Sequence, residues 1–144
     1  MTKFKYKFKA IKEIKKRFEK KAQKDLAVID LDISNKKNEI IEITNKLKEQ
    51  KIKKLTDKNK TIAKFHFDEK YESYLVNQIE VLQSYIAKRM VERKVKVEEL
   101  VQKSKETQTF EKLEETHLSE FIKIENEIEQ KEMDEFAVTE FLKD

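Results

Sequence analysis

The chain of 144 residues contains no glycine, no proline, no cysteine and no tryptophan. Without cysteine there are no disulfides, no cysteine-ligated metal and no thiol nucleophile. Without glycine, every glycine-rich phosphate loop and dinucleotide fingerprint is absent. A chain that reverses direction many times draws on glycine and proline for positive φ and preset bends, so sheet-rich and loop-rich folds are excluded too. No run approaches the roughly 18 apolar residues of a membrane span. The start, Met1-Thr2-Lys3, is followed by no apolar core of a secretory signal, and Thr2 stands where myristoylation needs glycine. These absences predict a cytoplasmic chain.

Charge and helix formers dominate what is present. Charged residues make up 43% and hydrophobic residues 38%, led by Lys, Glu and Ile, which is the composition of a coiled coil or long helix. From Ala22 the apolar residues alternate by four and three, through Leu26, Ile29, Ile33, Ile40, Ile43 and Leu47, with Lys36 as the one lysine in the seam. The seam then meets Gln50 and Lys54 while Ile52 and Leu55 fall out of register. Thr56-Asp57-Lys58-Asn59-Lys60-Thr61 is the best break in the chain. Apolar spacing resumes at Tyr71, Leu75, Ile79, Leu82 and Ile86 and drifts through Met90, Val97, Leu100 and Val101. After a thin polar patch at 102–108 it recovers at Phe110, Leu113, His117 or Leu118, Phe121, Ile124 and Ile128. The opening alternates Phe4, Tyr6 and Phe8 with lysines and reads as an extended lead-in passing into helix near Phe8.

Charge separates a straight rod from a hairpin. Residues 1–60 hold 20 basic and 9 acidic side chains, a net of +11, and residues 61–144 hold 13 and 20, a net of −7. The contrast is sharper at the ends: residues 1–24 carry 11 basic against 2 acidic, and residues 111–144 carry 4 against 12. In a rod of about 200 Å, at about 1.5 Å per residue, these blocks would gain nothing from each other. The expected fold is therefore all-α: a long antiparallel two-helix coiled-coil hairpin forming a single domain over 1–144. Helix 1 is expected at about 8–56, the turn at about 57–66 and helix 2 at about 67–142.

Chemical constellations are few. Glu114-Glu115-Thr116-His117 contains one Glu-x-x-His step, but the only other histidine, His66, follows Ala63-Lys64-Phe65 and supplies no second copy. His117 is read as a stripe or surface residue, and no metal, cofactor or catalytic residue is expected. A narrow hairpin offers no cleft in which a carboxylate could be desolvated for acid–base work, so the reading is of a non-enzyme. The basic start with interleaved aromatics could contact phosphates, bases or an acidic membrane, and its alternative fate is neutralisation by the acidic C-terminal helix. The cluster Lys88-Arg89 and Arg93-Lys94-Lys96 faces helix 1 or solvent, depending on the seam. Tyr71, Tyr74, Leu75, Leu82 and Tyr85 form an aromatic-rich stripe just past the turn. It is either core packing or, because helix 1 has lost register there, partly an exposed anchor for another protein.

Glu125-Asn126 followed by Gln130-Lys131-Glu132-Met133-Asp134-Glu135-Phe136-Ala137 resembles the C-terminal signature of the FliJ family of flagellar type III export proteins. The Phe4-x-Tyr6-x-Phe8 opening, Phe110-x-x-Leu113 and Tyr71-x-x-Tyr74-Leu75 support the resemblance, and the remainder matches only as generic coiled coil. Glu132, where members often carry a basic residue, and the polar Gln78 depart from the pattern. The resemblance implies a hairpin similar to the central stalk of rotary ATPases, with its paired termini in the pore of a hexameric flagellar export ATPase. It further implies promotion of ring assembly, coupling to the cytoplasmic domain of the membrane export gate, handling of export chaperones, and a place peripheral to the inner membrane at the flagellar base, serving motility. On that model Phe4, Phe8 and Ile11, paired with Met133, Asp134, Glu135, Phe136 and Ala137, face the ATPase. Ile43 and Leu47, with Tyr71, Tyr74, Leu75, Leu82 and Tyr85, face the gate. The alternatives are the equivalent stalk of a virulence injectisome or rotary ATPase, and a basic coiled coil on nucleic acid or acidic membrane.

Overall fold

In a computed structural model, residues 2–143 are described, and they form two α-helices, α1 (Lys9–Thr56) and α2 (Ile62–Lys143), with no strand. Met1 and Asp144, the ends of the expected 1–144 domain, lie outside the described residues. In each of two compact units a stretch of α1 packs antiparallel against a stretch of α2, the pairing of a helical hairpin. Neither helix is interrupted because neither contains a residue that breaks the hydrogen-bond ladder.

The reversal is made without glycine, and no described residue has positive φ. The Thr56 hydroxyl donates back to the Ile52 carbonyl at 3.0 Å, a local bond that competes with helix continuation. Asp57 then accepts from the Asn59 backbone N–H at 3.2 Å, forming an Asx turn, and its carboxylate also pairs with Lys64. Thr61 caps α2, its hydroxyl oxygen accepting from the Lys64 N–H at 3.2 Å. That cap starts α2 at Ile62, earlier than the expected 67. The difference has a simple cause: a helix begins where its first N–H groups are capped, whereas the seam resumes only where the helices touch. Phe65 and Phe67 are helical and exposed.

Two compact units divide the chain, Ala22–Leu100 and the pair Met1–Lys21 with Val101–Asp144. In the Ala22–Leu100 unit the heptad seam is the core. Ala22, Ile29, Ile33 and Leu75 are buried, and Leu26, Ile40, Ile43, Leu47, Tyr71, Ile79, Leu82 and Ile86 are half-buried. Lys36 keeps its seam position by setting its ammonium over the Tyr85 ring, 5.5 Å from the centroid. Below Leu47 the seam turns polar. Gln50 donates to Asp68 at 2.9 Å, Lys54 lies 3.7 Å from Glu72, and Ile52 and Leu55 point away from the partner helix, both exposed.

In the unit of the two chain ends the core is aromatic. Residues 2–6 are not helical, and Tyr6 is buried with its hydroxyl donating to the Phe110 carbonyl at 2.7 Å. Ring centroids stand 5.5 Å apart for Phe4 and Phe121, 6.2 Å for Phe8 and Phe110, and 5.8 Å for Tyr6 and His117. These tilted and edge-on pairs are the arrangement that the ring quadrupoles favour. Thr107 is the buried polar residue of the thin patch, its hydroxyl donating to the Lys103 carbonyl at 3.1 Å.

Candidate partner-binding surfaces

The basic lead-in of α1 meets the acidic stretch of α2 as the charge division predicts. Lys12 pairs with Glu114, Lys15 with Glu106 at 3.2 Å and Lys16 with Glu111 at 3.8 Å. The hydrogen bond from Lys12 to Glu114 raises the lysine pKa, and the bond from Lys15 lowers that of Glu106. Burial, with the Glu114 charge second, raises the Tyr6 phenol. Part of the basic start is thus paired with acidic side chains inside the same unit.

The expected ATPase-facing residues fall in two places. Phe4 and Phe8 are half-buried in the aromatic cluster, and Ile11 is 41% exposed. Met133, Asp134, Glu135, Phe136 and Ala137 are all exposed on the last turns of α2, with Met133 and Phe136 each 67% exposed. The structure therefore corrects the expected pairing of Phe4 with Met133 to Ala137. The lead-in docks at Phe121, about 18 Å short of Met133 at the helical rise. Its last described contact is the Thr2 hydroxyl on Glu125, at 2.9 Å. Beyond that point every described residue of α2 is exposed, and a shallow concavity opens between Glu129, Glu132, Met133 and Phe136. Val138, Phe141 and Leu142 extend the same exposed surface beyond the expected ATPase-facing residues. Their signal was present: apolar residues at 133, 136, 137, 138, 141 and 142 surround more of the helix than one partner helix could cover.

The expected gate-facing stripe divides as well. Leu75 is buried, and Ile43, Leu47, Tyr71 and Leu82 are half-buried seam residues. Tyr74 turns outward and is 56% exposed. Tyr85 is occupied on its polar side, where its hydroxyl donates to Asp32 at 2.6 Å. Arg89 reaches the same Asp32 oxygen at 2.7 Å, and Arg93 pairs with Asp30, so the two arginines of the basic cluster face α1, while Lys88 and Lys94 are exposed and Lys96 pairs with Glu99 of α2. The Tyr85 bond, then that of Arg89, hold the Asp32 carboxyl below its usual value, and Asp32 in return raises the Tyr85 phenol. Spacing alone did not foresee the Asp32–Tyr85–Arg89 network, since Asp32 lies beside the seam and not in it.

His117 sits in the stripe, its ring packed on Tyr6 and Phe8. Among the described residues no helix is long and apolar enough to cross a membrane. A family model described as Flagellar FliJ protein matches residues 4–144. The chain belongs to the FliJ family. No curated protein and no solved structure matches it. The match spans both helices and both ends, far beyond the C-terminal signature, and makes this a flagellar export-associated protein in a family of non-catalytic export components.

Proposed function

We propose that this FliJ-family chain is a stalk-like adaptor that binds the hexameric flagellar export ATPase, promotes assembly of its ring and couples it to the cytoplasmic domain of the export gate. Handling of export chaperones belongs to the same role, carried out at the inner membrane through protein partners and with no bond chemistry of its own. The observation that supports this reading best is the C-terminal run of α2. It carries the signature Met133-Asp134-Glu135-Phe136-Ala137, lies beyond the last described contact with the lead-in, and exposes Met133, Phe136, Phe141 and Leu142 to a degree that a solitary helix does not maintain without a binding partner. On this reading Phe4 and Phe8 fix the lead-in against α2 at Phe121 and Phe110, and the exposed Ile11 adds contact area on the approach to that run. Tyr74 is the exposed anchor for the gate, while Ile43, Leu47, Tyr71, Leu75, Leu82 and Tyr85 keep the helix pair beneath it stiff.

Turnover of the export ATPase, measured with and without the chain, tests the proposal. The chain should stimulate hydrolysis and show none alone, and M133E/F136E should abolish stimulation while leaving helicity unchanged, because both side chains are exposed. Undiminished stimulation by that variant would sink the assignment. For the gate, Tyr74→Ala should weaken capture of its cytoplasmic domain.

A further inference from the structure

The end of the Ala22–Leu100 unit where α1 passes into α2 carries chemistry that neither the seam nor the proposed stripe uses. Leu55 and Ile62 flank the loop and are 86% and 79% exposed, and Ile52 and Phe67, further along each helix, are also exposed. Residues 51–64 contain six lysines against one aspartate, a net of +5. Three of the nearby carboxylates are already engaged, Asp57 by Lys64, Asp68 by Lys60 at 3.5 Å and Glu72 by Lys54 at 3.7 Å, while Glu49 and Glu69 are exposed on the helices behind. Lys53 and Lys58 have no ion pair among the described residues. The cavity at this end is lined by Gln50, Lys53, Thr56, Asp57, Lys64 and Asp68, all polar, and gives a partner's apolar side chain nothing to enter.

We propose that this tip binds an anionic phospholipid surface directly, inserting Leu55 and Ile62 among the headgroups while Lys53 and Lys58 remain at the level of the phosphates. A bilayer fits better than an acidic protein. Apolar side chains here project singly from either side of a tight turn, so a protein would need a separate cleft for each, whereas a headgroup layer admits them one by one. Lysine stems lie along apolar surface and leave their charge in water. Each lysine close to an anionic surface strengthens binding roughly fivefold, within a screening length of about 8 Å at physiological salt. The proposal adds a direct lipid contact to a reading in which proteins alone bring the chain to the membrane.

The test is co-sedimentation of the full chain with vesicles of phosphatidylcholine, with and without phosphatidylglycerol. Binding should require phosphatidylglycerol, weaken with added salt, and fall about twenty-five-fold in K53Q/K58Q. L55E/I62E should also lose it, with circular dichroism unchanged because these side chains are exposed. K3Q/K5Q/K7Q/K9Q should bind as the parent does, which separates the tip from the basic start. Absence of binding to anionic vesicles, equal binding by the tip variants, or loss confined to the lysines of the start would each overturn the proposal. So would a chain that ignores vesicles but needs Leu55 and Ile62 to capture the gate's cytoplasmic domain, since the occupant would then be a protein.

Discussion

In the Ala22–Leu100 unit the two helices meet along an aliphatic seam of small and medium side chains, repeated every three or four residues and girdled by Asp32, Arg89 and Tyr85. In the unit of the chain ends the contact rests on a few large rings, and half of them come from a lead-in that is partly not helical. A seam distributes its stability over many equivalent layers, so losing one layer weakens it locally. The aromatic end depends on a handful of rings and one buried hydroxyl. Beyond Glu125 neither device operates, and the apolar residues that remain are left to a partner.

The largest effect should come from breaking the seam. Ile29→Ala or Ile33→Ala removes a buried branched side chain and should cost about 2–4 kcal/mol in urea unfolding. Phe8→Ala removes a half-buried ring from the aromatic end and should cost about 1–2 kcal/mol, with fluorescence or amide exchange showing the loss confined to residues near 110–121. If Phe8→Ala instead proved as costly as the seam variants, the two ends would not be independent in the way the contacts indicate.

Acid and base should sharpen the contrast at a smaller scale. Asp32, Asp57 and Glu106 have folded values below their ordinary 3.8, 3.8 and 4.5, so their contribution is complete above those values and is lost as pH falls through the lowered ones. Lys12 is raised above 10.5, and Tyr6 and Tyr85 above 10.0, so their contribution is complete below those values and is lost as pH rises through the raised ones. The urea midpoint should be flat between about pH 5 and pH 9.5 and decline on both sides. Asp32→Asn should flatten the acid limb, read as a smaller loss of midpoint between pH 5 and pH 3. Smallest of all, Phe136→Ser should leave stability within about 0.5 kcal/mol of the parent, because the ring is 67% exposed on the last turns of α2. A larger loss would mean that the C-terminal turns are not free of internal contact.

Much of this was legible in the linear pattern. The spacing of Ala22, Ile29 and Ile33 marks a face because each lies three or four residues from the next, and that face is buried. Opposite charge at the two ends called for an antiparallel pair, and Lys12–Glu114 and Lys15–Glu106 supply it. The turn was found by its polar run, but its length was not. Only the capping bond of Thr61, a matter of side-chain geometry, determines that α2 starts at Ile62. The partner of Phe4 was also out of reach, because it depends on how far a non-helical segment travels along α2 before it docks on Phe121.

By itself the sequence determined an all-helical, antiparallel pair and membership of the FliJ family, since heptad spacing, charge division and the absence of glycine and proline act locally and leave few alternatives. Tertiary structure alone decided which apolar residues stay uncovered. Whether Tyr74, Leu55 or Phe136 faces a neighbour or solvent depends on where the opposing helix begins, ends and loses register, and that is a property of two segments distant in the chain.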